Sequence, residues 1–177
     1  MGPGIDLEKL PCLARVAFAI RCARRAQGLL VQFAPDVSED LLGAVDQAIT
    51  LAERSSADGR PCKGLAAAVD EAERHARGAV GVAQVWSSGN GSDAVLLSAP
   101  VRRAVAYAAA AAACAVLETS ARAASKAVSY AEEAARAANA AHLTAAMASD
   151  FEKLREAAGR EGWADDQPVS PGFFGPS

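Results

Sequence analysis

Three arginines, Arg21, Arg24 and Arg25, fall within five residues of one another in an otherwise apolar stretch. A guanidinium keeps its charge at every physiological pH and presents a planar fork of donors that matches a carboxylate or phosphate bidentately. The set reads either as a solvated edge paired with acids of a neighbouring helix or as a contact for an acidic partner. It is therefore entered as a candidate partner surface. Catalysis asks for other residues, and the sequence is poor in them. Its two histidines, His75 and His142, lie far apart, and neither has a second His or Cys at metal-ligand spacing. The Glu-x-x-His pattern of di-metal bundles does not occur, nor does a Gly-x-Ser-x-Gly nucleophile turn. His75 reads as a boundary residue of an apolar stripe, and His142 as a hydrogen-bonded structural one. Glu71 and Glu73, like Glu132 and Glu133, read as solvated carboxylates beside Arg74, Arg77 and Arg136. The expectation is a protein that is not an enzyme, with no catalytic residue, cofactor or metal.

The four cysteines, Cys12, Cys22, Cys62 and Cys114, are widely spaced and form no Cys-x-x-Cys. They read as free thiols of a reducing compartment, which points to the cytoplasm. The start of the chain lacks the basic and apolar stretches of a secretory signal. Eighteen basic against 21 acidic residues give a net charge of -3, the wrong sign for neutralising phosphates, so nucleic acid is not expected as a partner. The uncharged, mostly Ala run 104–117 falls short of the roughly 20 apolar residues that span a bilayer, so no membrane is expected either.

These residues must be positioned by helices. Of the 177 residues 45 are Ala, while only 9 are aromatic, which favours helix over sheet and a core of small side chains. Arg outnumbers Lys 14 to 4, which beside so much Ala and Gly reads as the codon usage of a GC-rich bacterial genome. The periodicity predicts a largely buried first helix from Pro11 to Phe33, stopped by Pro35. A second helix starts at a Ser38 cap and ends where Ser55 to Pro61 turn the chain. A third runs from Lys63 to Val85, with Ala79, Val80 and Ala83 on its inner face, and a Ser/Gly loop follows at 87–92. The fourth, Ala99 to Glu118, has no charge after Arg103 until Glu118 and belongs at the centre.

The stretch between Pro100 and Gly159 has neither Gly nor Pro, yet as one helix it would reach roughly 88 Å. Breaks are expected at Thr119-Ser120 and at Ser149-Asp150, where Ser149-Asp150-Phe151-Glu152 has capping-box spacing. A fifth helix, Ala121 to Ala148, carries a polar arc, and then the pattern flips. Leu143, Met147, Phe151 and Leu154 continue a face that was polar up to Asn139. A bend near 139–142, the chain's own tail or a partner chain must cover them, so they too are candidate partner surface. The predicted architecture is all-α, a compact bundle of five to six helices over residues 1–159. A Pro/Gly-rich tail, 160–177, follows, in which Trp163, Phe173 and Phe174 are candidate docking residues.

A family resemblance rests on Arg21-Cys22-Ala23-Arg24-Arg25 followed by Leu29-Leu30. It continues through Ala44-Val45-x-x-Ala48-Ile49-x-x-Ala52-Glu53 and the long Ala-rich helices that end near His142. Between Leu13 and Leu154 this order resembles α-helical immunity proteins of bacterial polymorphic toxin systems, and related Ala-rich helical domains of large planctomycete-type proteins. The resemblance implies a non-enzymatic immunity or adaptor protein that binds another protein, a toxin or effector. The alternative is a self-associating scaffold bundle whose tail docks on a like chain.

Overall fold

The computed structural model describes residues 5–34, 37–86 and 93–174, with side chains described outside 79–97 and 171. Among the described residues six α-helices form the fold: α1 Cys12–Phe33, α2 Glu39–Asp58, α3 Leu65–Trp86, α4 Asp93–Glu118, α5 Ala121–Ala137 and α6 Ala141–Glu161. Short 3-10 turns precede α1 at Leu7–Lys9 and follow α6 at Pro171–Phe174. No strand occurs among the described residues. The chain is an all-α bundle, as its composition predicts.

Its centre is α4. Ala104 to Ala106, Ala108, Ala109, Ala112, Ala113 and Ala115 contribute small buried side chains on successive turns, and α1, α2, α3 and α5 pack around them. Methyl-sized side chains on every face permit such close approach of helix axes. The helix begins at Asp93, before the expected Ala99, and runs through the exposed Pro100. Its segment Ser98–Glu118, 21 residues with a mean hydropathy of 1.3, is long and apolar enough to cross a membrane by length and composition. The segment extends beyond the uncharged run 104–117 at both ends and takes in Arg102, Arg103 and Glu118. Here the segment is the bundle's core.

Helix ends follow local chemistry. Ser38 caps α2 by accepting from the Leu41 N–H at 3.3 Å, and Glu39 and Asp40 add negative charge to that first turn. Ser55 and Ser56 do not break the chain, as expected, but lie buried inside α2. Ser55 Oγ donates to the Leu51 carbonyl at 2.6 Å and accepts from the Cys62 N–H at 2.9 Å, so its hydroxyl is satisfied without leaving the helix. Gly59 at φ 65° ends α2, in a left-handed conformation open to glycine. The inner-face residues Ala79, Val80 and Ala83 of α3 and the 87–92 loop lie outside the described side chains and residues, and so does Pro35.

Two positions divide the long Ala-rich stretch. Thr119 at φ 46° separates α4 from α5, where a break is expected, and Ser120 caps α5 through the Ala123 N–H at 3.3 Å. Asn139 at φ 52° separates α5 from α6, so the predicted single helix 121–148 is two. Asn is among the few non-glycine residues that take this conformation readily. Ser149-Asp150 breaks nothing and sits in the middle of α6.

Candidate functional site

The bend at Asn139 settles where the apolar stripe goes. It swings α6 across α1, and Leu143, Met147, Phe151 and Leu154 become core residues, with Met147 and Leu154 fully buried. Phe151 meets Phe18 of α1 edge-on, ring centres 5.5 Å apart. These four side chains are thus turned inward and do not form a partner surface.

The arginines are also withdrawn from the surface. Arg21 is 6% exposed and donates to Asp150 at 3.2 Å. Arg25 grips the same carboxylate with Nε at 2.6 Å and Nη2 at 3.1 Å. Asp150, on α6, is 1% exposed. Buried between two guanidiniums, the carboxylate serves as an internal counterion in mid-helix, at the point where a helix start was expected. Arg24 points the other way, to α2. It donates to Glu53 at 3.0 and 2.7 Å, to Asp46 at 2.7 Å and to Thr50 at 3.1 Å. Hydrogen bonds from Gln27 and then Arg24 hold the Asp46 carboxyl below its ordinary range, while the bond to Glu53 raises the Arg24 guanidinium. Burial, and then the charge of Asp150, pushes the neighbouring Cys22 thiol well up, so it stays protonated. Of the two readings of the arginine set, the paired one describes the fold, and the assignment as a partner surface is corrected.

The tail docks on its own bundle. Pro11 has no side chain that can cap α1, and Asp165 does so from 153 residues away: its carboxylate accepts from the Cys12 N–H at 2.9 Å and its carbonyl from the Leu13 N–H at 3.2 Å. Val169 is buried. Trp163, Phe173 and Phe174 form a chain of edge-on ring contacts 5.6 and 5.2 Å apart, and the Phe174 ring lies 5.5 Å from the Arg21 guanidinium. Trp163 and Phe174 pack on the core, whereas Phe173 remains exposed. All three docking candidates are accounted for in cis.

The remaining candidates are minor. His75 Nε2 lies 3.3 Å from Glu71 on its own helix, and His142 is exposed in the first turn of α6 with no hydrogen bond among the described residues, contrary to its expected structural role. Glu133 pairs across helices with Arg103 at 2.8 Å. No group of three or more His, Cys, Asp or Glu suited to a metal ion occurs among the described residues.

What sequence reasoning missed is a pair of hollows on the two sides of α5. The first, about 290 Å³, is floored by α4 and walled by α3 and α5. Tyr107 and Tyr130 stack at one end, 5.1 Å apart and inclined by 23°. Glu118 and Arg122 stand at the other, with Cys114 and Lys126 between. Burial, then Glu118 and Glu73, raises the Cys114 thiol and keeps it protonated. The second hollow, about 540 Å³, lies in the elbow of α5 and α6, with Ala135, Ala140, Ala141, Ala145 and Ala148 as its apolar lining and Glu132 and Arg136 at its rim. The signal for the first was present as Arg122-x-x-x-Lys126-x-x-x-Tyr130, one stripe of α5, facing Tyr107, Cys114 and Glu118 of α4. Joining the stripes required the α4–α5 pairing. Comparison with protein-family models, curated proteins and solved structures gave no match, and the reading of the site rests on its geometry.

Proposed function

We propose that the chain is a non-enzymatic protein-binding helical domain, an immunity or adaptor component of a bacterial conflict system that engages a toxin or effector in the cytoplasm, without nucleic acid or membrane. The observation that carries the reading is α5. Its outer arc presents Arg122, Lys126, Glu132 and Arg136, none of which is ion-paired among the described residues, and a hollow borders the arc on each side. Paired charges such as those of Arg24 have their donors filled by the fold, whereas these can be filled by another chain. Tyr and Arg are enriched where proteins meet, because they combine large contact area with directed hydrogen bonds. Burial holds the thiols of Cys22 and Cys114 protonated, which favours binding over thiol catalysis at either.

The test is a photo-crosslinking residue placed singly at Lys126, Arg136 and, as controls on other helices, Arg74 and Lys153, with the protein expressed in its source cells. A discrete adduct from the two α5 positions and none from the controls is expected. Equal adducts from all four positions, or none, would overturn the assignment. An adduct of twice the chain's own mass would favour the alternative of a self-associating scaffold, for which the tail, docked in cis, offers no support.

A further inference from the structure

The hollow between α3, α4 and α5, about 290 Å³, lies at the lower limit of roughly 300–1,000 Å³ for small-ligand pockets. Its polar groups are arranged along its length. At the Thr119 turn Glu118 and Arg122 both line the hollow, one at the end of α4 and the other in the first turn of α5. Neither is ion-paired among the described residues, and Lys126 one turn further is likewise without an ion pair. From there the floor is Ala110, Ala111 and the Cys114 side chain, and the channel ends at the stacked Tyr107 and Tyr130. Glu73 of α3, paired with Arg77, also lines the hollow. The order is thus a negative and a positive residue at one end, then an alanine floor, then aromatic faces.

We propose that this hollow binds a free α-amino acid with an apolar side chain. The ammonium and carboxylate of such a molecule sit on one carbon, and Glu118 and Arg122 offer their complements at one end of the hollow. Lys126 supplies a second cation to the carboxylate. The negative end of α4 and the positive end of α5 give the same polarity as these side chains. The ligand's side chain then runs over the alanine floor to the tyrosine rings, where apolar area leaves water. A ligand with only one of its two charges would leave the opposite group of the protein facing it unpaired. Nothing in this argument depends on α5 contacting another protein, so the inference goes beyond the proposed function.

The experiment is calorimetric titration of the full chain with L-phenylalanine, L-leucine and L-methionine, and with the N-acetyl and carboxamide forms of each. Saturable binding of at least one free amino acid is expected, weakened about tenfold or more by blocking either end. Arg122→Gln with Lys126→Gln should remove the preference for the free carboxylate, and Glu118→Gln the preference for the free amine. All three side chains lie at the surface, and circular dichroism checks that the variants remain folded. Absence of saturation for all three amino acids up to about 10 mM, or equal binding of free and blocked forms, overturns the proposal. So does loss of the Lys126-region protein crosslink in Arg122→Gln without any amino-acid binding by the parent chain, which would assign the hollow to the protein partner.

Discussion

The seam between α1 and α6 and the outer arc of α5 contain the same kinds of charged residue in opposite circumstances. At the seam two guanidiniums close on one carboxylate that is 1% exposed, and an aromatic ring from the tail lies over one of them. On α5 Arg122, Lys126, Glu132 and Arg136, which border the two hollows, have no ion-pair partner among the described residues. The difference is one of position along the bundle. Helix α6 crosses α1 and supplies a counterion to its buried arginine, whereas among the described residues no helix lies outside α5 along its polar arc. A cluster of arginines in a sequence therefore indicates an internal lock when a later helix brings an acid to it, and a recognition surface only when none does.

The comparison is broken most sharply at Asp150. Asp150→Asn keeps the shape and removes the charge shared by Arg21 and Arg25, and loss of one partner of a buried pair costs about 3–5 kcal/mol. Urea unfolding should show that loss, while Lys126→Gln on α5, which breaks no pair, should leave the midpoint in place. An equal effect at both positions would mean that the seam is no more a lock than the arc.

A second contrast lies within α4. Ala112 is fully buried among neighbouring helices, and Leu in its place should destabilise by about 1–3 kcal/mol through overpacking. Ala111 borders the hollow beside α5, so its larger replacement has space to enter, and Ala111→Leu should cost measurably less. Thermal unfolding of the two variants side by side checks the order. If Ala111→Leu were the more damaging, the hollow would not be open space on that face.

The smallest expected effect is at the tail. Asp165→Ala removes a helix cap and should cost about 1 kcal/mol. For a chain of this size that corresponds to roughly 2–4 °C in the melting temperature. An unchanged melting temperature would mean that the tail's hold on α1 does not depend on that carboxylate.

The central place of α4 was legible because it depends on composition alone: a stretch without charge from Val105 to Leu117 has no face to give to water. The pattern flip after Asn139 was legible for the same reason, as a conflict that some bend or cover had to resolve. Misreadings arose where one residue type serves two physical ends. Ser55 and Ser56 favour turns when their hydroxyls seek backbone partners, but Ser55 found one within its own helix. Ser149-Asp150-Phe151-Glu152 has cap spacing, but the carboxylate of Asp150 answers to arginines 125 and 129 residues earlier. The same distance hid the candidate site. Tyr107 and Tyr130, or Glu118 and Arg122, belong to different helices, and only the tight turn at Thr119 brings them to one hollow.

The Asp165 clasp gives the chain's two ends a common schedule. During synthesis the Cys12 and Leu13 amides leave the ribosome early, while the carboxylate and carbonyl that satisfy them follow 153 residues later. At about 5–20 residues per second that interval is roughly 8–30 s. Through that time α1 has its first turn open to water, and Asp150, the counterion of its arginines, also follows them by 129 and 125 residues. The N-terminal helix of this bundle is thus the first to be synthesised and among the last to be completed.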